Sequence, residues 1–189
     1  MQKVLAWVSA AGLALGPALL APTAAAAAPG CSTDWGTEAE YQAPSMVPHE
    51  TAHPLSVRAG QDECWDRLVV ELEGDFQGYV VGYVDELRGI GSGLPIPSRG
   101  DAALAISFEA QAYGELDGTD FRIFYGPHDA DEVWDVSGFR AFRQVLWQGS
   151  FEGRTAMGLG VREELPFRVL VLDGPDDWTR LVVDIAHAP

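Results

Sequence analysis

Arg67-Leu68-Val69-Val70-Glu71-Leu72 decides the fold. Leu68, Val70 and Leu72 alternate with Arg67, Val69 and Glu71, and a period of two is the geometry of a β-strand with one face toward a core. The same text returns as Arg180-Leu181-Val182-Val183-Asp184-Ile185. Both copies put three aliphatic residues on one face and arginine, valine and an acid on the other. Half-buried strands commonly look like this. The sharper expectation is a pseudo-symmetric β-sandwich in which these two strands occupy equivalent positions.

Further runs of the same kind lie outward from this pair. Tyr79, Val81 and Tyr83 alternate with Val80, Gly82 and Val84, and Leu104, Ile106, Phe108 and Ala110 with Ala105, Ser107, Glu109 and Gln111. Met157, Leu159 and Val161 alternate with Gly158 and Gly160, which would let another backbone approach closely. Phe167 to Leu172 is apolar on both faces apart from Arg168, as for an inner strand. Gly, Asp and Pro separate the runs, and Asp117-Gly118-Thr119-Asp120 reads as a hairpin turn. One stretch is ambiguous: in Val136 to Leu146, Phe139, Phe142 and Leu146 also fit one short helical face. The expectation is an all-β domain, a small sandwich with pseudo-symmetric halves, over residues 55–189. Residues 28–54, with Pro44, Pro48 and Pro54, read as an extended, loosely ordered connector.

The N-terminus reads as a secretory signal peptide over residues 1–27. Lys3 supplies the positive start, Val4 to Leu20 is apolar but broken by Gly12, Gly16 and Pro17, and Ala24 to Ala28 offers small residues for cleavage near Ala26 or Ala27. About 17 residues is at the lower limit for a membrane span, and no later segment is long and apolar enough for one. A secreted or cell-wall-associated protein with no membrane span in its mature form is expected. Lys3 is the only lysine, so its loss takes the net charge from −16 to −17. Such sparse basic charge argues against nucleic acid and anionic membrane surfaces, both of which need a positive footprint. Cys31 and Cys64 are the two cysteines. In an exported chain an even count suggests a disulfide. The other reading is a lipid-modified Cys31, but the lipobox position three residues earlier holds Ala28 where a bulky aliphatic is wanted.

His49-Glu50-Thr51-Ala52-His53 matches the H-E-x-x-H pattern of zinc hydrolases, in which a helix sets both histidines on one face. Pro48 and Pro54 bracket it, and a proline pushes the residue before it out of the helical region. A zinc-dependent hydrolase using His49, Glu50 and His53 is therefore the alternative reading only. The acidic cluster His128-Asp129-Ala130-Asp131-Glu132 with Asp135 begins like a calcium loop, but Trp134 and Arg140 stand where glycine and glutamate belong. It reads as a solvated loop. No G-x-S-x-G occurs and no serine or cysteine sits in a nucleophile motif, so neither catalysis nor a cofactor is expected.

Taken together, Cys31 with Trp35-Gly36, Val57-Arg58-Ala59-Gly60, Cys64-Trp65-Asp66-Arg67-Leu68-Val69 and Gly138-Phe139-Arg140-Ala141-Phe142-Arg143 resemble the AMIN-like domain proteins exported by actinobacteria. Gly149-Ser150-Phe151-Glu152-Gly153-Arg154-Thr155, Leu165-Pro166-Phe167-Arg168-Val169 and Arg180 to Ile185 extend the resemblance to about His187. It implies a small β-sandwich with internal symmetry, acting as a non-catalytic targeting module of the cell envelope. The implied partner is cell-wall glycan such as peptidoglycan, or a cell-envelope protein such as a wall enzyme that the module localises or regulates. Within Gly138 to Arg154 the chain gathers arginine and aromatic residues, and Arg140, Arg143, Trp147, Glu152 and Arg154 are the candidate ligand-binding residues. Sugar rings stack on aromatic faces, and arginine can hold carboxylates in a bidentate way.

Overall fold

A computed structural model describes residues 31, 33–44, 52–74, 76–116, 120–123, 125–126 and 132–189. The signal segment therefore lies outside the described residues, as do His49, Glu50, the acids Asp129 and Asp131, and the turn 117–119.

The strands in chain order are β1 (Glu40–Gln42), β2 (His53–Gln61), β3 (Trp65–Glu73), β4 (Tyr79–Val84), β5 (Leu87–Arg88), β6 (Pro95–Ile96) and β7 (Ala102–Phe108). They continue with β8 (Tyr113–Leu116), β9 (Asp120–Ile123), β10 (Phe142–Phe151), β11 (Arg154–Val161), β12 (Phe167–Asp173) and β13 (Trp178–Ala186). The described residues contain no helix. A five-stranded sheet runs β1-β4-β7-β11-β10 and a four-stranded sheet runs β12-β13-β3-β2, every pairing antiparallel. Their inner faces share one core. Leu68, Val70, Leu72, Leu181, Val183 and Ile185 meet Val81, Leu104, Ile106, Phe108, Met157 and Leu159 in it, all at most 1% exposed. Tyr83 bolts the layers together at one end: its hydroxyl donates to the Leu165 carbonyl (2.7 Å) and accepts from the Leu165 N–H (2.9 Å). Burial pushes its phenol up to about 12.

The six-residue repeat is explained by the register of β3 on β13. Arg67 lies opposite Asp184, Val69 opposite Val182 and Glu71 opposite Arg180. A two-fold axis normal to the sheet through the Val69–Val182 pair thus carries Arg67 onto Arg180 and Glu71 onto Asp184. The β2–β3 and β12–β13 hairpins are the two halves related by that axis, so the internal symmetry belongs to the four-stranded sheet.

Three expectations change. Val136 to Leu146 is not helical: β10 begins at Phe142, with a bulge between Phe142 and Gln144. The extra residue breaks the alternation, so Phe142 and Val145 reach the core three positions apart while Leu146 packs on the opposite face. The three residues that fit one helical face are thus divided, Phe139 and Phe142 on the main core and Leu146 on the opposite face. Next, β12 is an edge strand, not an inner one. Its outer edge is covered by the N-terminal segment in place of a strand, for the Phe167 N–H donates to the Gly36 carbonyl (2.9 Å) and the Val169 N–H to the Glu40 carboxylate (3.3 Å). The same contacts make residues 36–42 of the expected connector part of the sandwich, with β1 paired to β4.

Part of the outer face of the five-stranded sheet is covered, while Tyr41, Val80 and Val84 at its β1–β4 side stay exposed. The excursion carrying β5 and β6 folds over it, and Leu87 packs with Ala103, Leu146 and Ile96. Gly158 and Gly160 make this possible. A Cβ at Gly158 would strike the Leu87 side chain, and one at Gly160 would strike the backbone carbonyl of Arg99. A leucine tip can move, whereas a backbone cannot. Gly160→Ala should therefore cost about 1–3 kcal/mol as overpacking. Gly60→Ala, with nothing within 4 Å of its Cβ, should stay within about 0.5 kcal/mol. Urea unfolding of both variants checks the contrast, and equal midpoints would contradict it.

Candidate binding face on the four-stranded sheet

The outer face of β12-β13-β3-β2 carries no comparable strand excursion among the described residues. The strand period puts Arg67, Val69 and Glu71 of β3 there beside Arg180, Val182 and Asp184 of β13. Arg58 of β2 and Arg168 of β12 flank them. Arg67 grips Asp184 through two bonds, Nε to Oδ1 at 2.6 Å and Nη2 to Oδ2 at 2.7 Å, and Arg168 reaches Oδ2 of the same carboxylate at 2.9 Å. Glu71 takes Arg58 at 2.7 Å, Arg180 at 3.3 Å and the Ser56 hydroxyl at 2.8 Å. The Asp184 side chain is fully buried beneath its arginines, while the four guanidinium side chains keep 32–42% of their surface exposed. The Ser56 hydroxyl bond, then the Arg58 guanidinium, holds the Glu71 carboxyl below the usual carboxylate range, and the bond to Asp184 raises the Arg67 guanidinium.

Aromatic rings complete one end. The Arg168 guanidinium lies 4.3 Å from the Trp35 ring centre and 5.2 Å from that of Trp65, and the two indoles stand 5.7 Å apart. Trp35 comes from the N-terminal segment, fastened by the Cys31–Cys64 disulfide whose Cα atoms are 5.3 Å apart. The face thus concentrates four of the chain's eleven arginines (twelve basic residues less Lys3) in a molecule of net charge −16. An arrangement of fixed guanidinium forks beside indole faces can bind carboxylates and stack sugars.

The five residues singled out in Gly138 to Arg154 are not gathered into one patch. Arg140 and Arg143 stand at the start of β10, where Arg140 donates to the Glu63 carbonyl (2.9 Å) and Arg143 to the carbonyls of Phe139, Arg140 and Phe142. Glu152 and Arg154 lie at the hairpin beyond its other end, about 26 Å along the strand, and Arg154 is paired with Glu109. Trp147 is half-buried, packed on the core with its ring 5.3 Å from that of Tyr125. His53 opens β2, where its Nδ1 meets the Gln111 carbonyl at 2.8 Å. A strand cannot present the helical face that the zinc motif requires.

The AMIN-like domain matches residues 52–187. The chain belongs to the AMIN-like domain family. No curated protein and no solved structure matches it. In this AMIN-like domain the arginine face was half legible beforehand, since the repeat had placed arginine, valine and acid on one side of each strand. Arg58, Arg168, Trp35 and Trp65 were missed as site residues. Only strand order brings them beside that repeat, although Trp35, Arg58, Trp65 and Arg168 all stand in the segments that carry the family resemblance.

Proposed function

We propose that this AMIN-like protein is an exported, non-catalytic module that docks on the cell wall through the outer face of its four-stranded sheet, taking peptidoglycan as ligand. The observation that carries this reading is the cluster of four partly exposed arginines on an otherwise strongly acidic chain, with two indoles at one end. Peptidoglycan offers sugar rings to the indoles and stem-peptide carboxylates to the guanidiniums. The leader-like N-terminus and the disulfide support export. The surface around Arg140, Arg143, Trp147, Glu152 and Arg154 is the competing proposal. The geometry favours it less, because its members are far apart and largely engaged.

The test is sedimentation of mature protein with purified insoluble peptidoglycan. Wild type should pellet, and Arg67→Ala/Arg168→Ala should weaken binding about tenfold or more, given roughly 1.5–3 kcal/mol for a charged hydrogen bond. Arg140→Ala/Arg143→Ala should pellet like wild type. Wild type remaining in the supernatant would refute the module, and the opposite ranking of the two variants would move the site to β10.

A further inference from the structure

The two acids of the arginine face sit in matching surroundings. Glu71 is held by Arg58 and Arg180, and Asp184 by Arg67 and Arg168. Each cluster has two guanidiniums bonded to one carboxylate, and Asp62 adds a second, more distant acid beside Arg67. The axis through Val69–Val182 exchanges the Arg67–Asp184 pair with the Arg180–Glu71 pair, while the flanking arginines differ in register, Arg168 lying opposite Asp184 and Arg58 opposite Val69. Positions 67 and 71 are four residues apart, so the clusters lie about 13 Å from each other along the strands. A guanidinium has five N–H donors. Among the described residues, Arg58 uses only Nη1 and Arg180 only Nε, while Nη1 of Arg67 makes no hydrogen bond. Donors are therefore left over at both ends of a flat strip floored by two buried valines.

We propose that these clusters are paired carboxylate seats, and that the partner is a linear polymer lying along β3 and β13 with acid groups about 13 Å apart. This deepens the cell-wall reading by giving the face a valency and a spacing. Neither seat alone holds an anion tightly, because its own acid offsets half of its charge and the whole chain repels anions. Two seats on one ligand make the second contact intramolecular, with an effective concentration in the millimolar range when the spacer matches the span. The seats are not identical in stiffness. Both cation–π contacts on this face lie on Arg168, so the Asp184 seat is the more rigid.

The measurement is an NMR titration of the arginine Nε–H signals with capped peptides Glu-(Gly)n-Glu, n from 0 to 6, in which the two side chains are the only carboxylates. An extended chain advances about 3.3 Å per residue, so n of 3 spans the seats. Affinity should peak near n of 3, about tenfold above n of 0, with signals of Arg67 and Arg180 moving together. In Arg58→Ala/Arg180→Ala the peak should vanish, leaving weak binding at Arg67 and Arg168. A flat dependence on n in wild type, which needs no variant to observe, would overturn the paired seats. Pelleting on the wall with a flat dependence would leave the module standing without them. A peak at n of 3 without pelleting would leave the seats and remove the wall as their partner.

Discussion

Asp66→Ala is expected to cost about 3–5 kcal/mol, the range for leaving a buried, hydrogen-bonded network short of its charged member. Asp66 is fully buried on β3, and its carboxylate ends four donors. Oδ2 accepts the backbone N–H groups of Ala141 (2.6 Å) and Phe142 (2.9 Å), and Oδ1 meets Gln61 Nε2 (2.9 Å) and His187 Nε2 (2.8 Å). Alanine would strand two backbone donors at the entry to β10 and release the C-terminal His187, whose own N–H bonds the Cys64 carbonyl at 2.9 Å. Asp66→Asn keeps one oxygen for the backbone pair, so it should lose only about 1–3 kcal/mol. Thermal unfolding resolves the two, with a drop in midpoint of about 10 °C for alanine in a domain of this size. A loss below about 1 kcal/mol for alanine would show that water replaces the carboxylate and that the site is not a structural knot.

Removing the disulfide, as Cys31→Ser/Cys64→Ser or by dithiothreitol, is expected to lower stability by about 3–4 kcal/mol, the chain-entropy value for the 33-residue separation it closes. Its effect should reach the arginine face. The bridge fixes the start of the segment that brings Trp35 against Arg168 and covers the edge of β12 through Gly36 and Glu40. The strands that build the core, β2 onward, do not depend on it, so the reduced protein should stay folded at room temperature while the Arg168 Nε–H signal loses the Trp35 share of its ring shift and keeps that of Trp65. Unchanged denaturant midpoints on reduction would contradict the stability claim. An unshifted Arg168 signal would show that Trp35 is held by the Gly36–Phe167 bridge without the disulfide.

Most of the strands were legible because each carries its own alternation. The expected runs at Arg67–Leu72, Tyr79–Val84, Met157–Val161 and Arg180–Ile185 fall within β3, β4, β11 and β13. Where reading by period failed, the local pattern was carrying information about something else. The bulge at Phe142/Gln144 shifted β10 out of phase and broke the alternation that marks the other strands. The aliphatic run of β12 reported burial but not neighbours, and the cover on its edge comes from residues more than 120 positions away.

The sequence by itself determined the class of the fold, the pairing of Cys31 with Cys64 as the stated expectation, and the existence of two equivalent strands, because composition, cysteine count and side-chain alternation are local properties. Tertiary structure alone decided that those strands lie side by side. Two polar faces that looked like solvated surface thereby became one sheet face of interlocked arginines and acids. It also decided that part of the five-stranded sheet's outer face is covered, since Gly158 and Gly160 admit the β5–β6 excursion there. A ligand face is a relation between residues far apart in the chain, here Trp35, Arg67, Arg168 and Asp184, and hydrogen-bond register across strands fixes that relation where one-dimensional periodicity cannot.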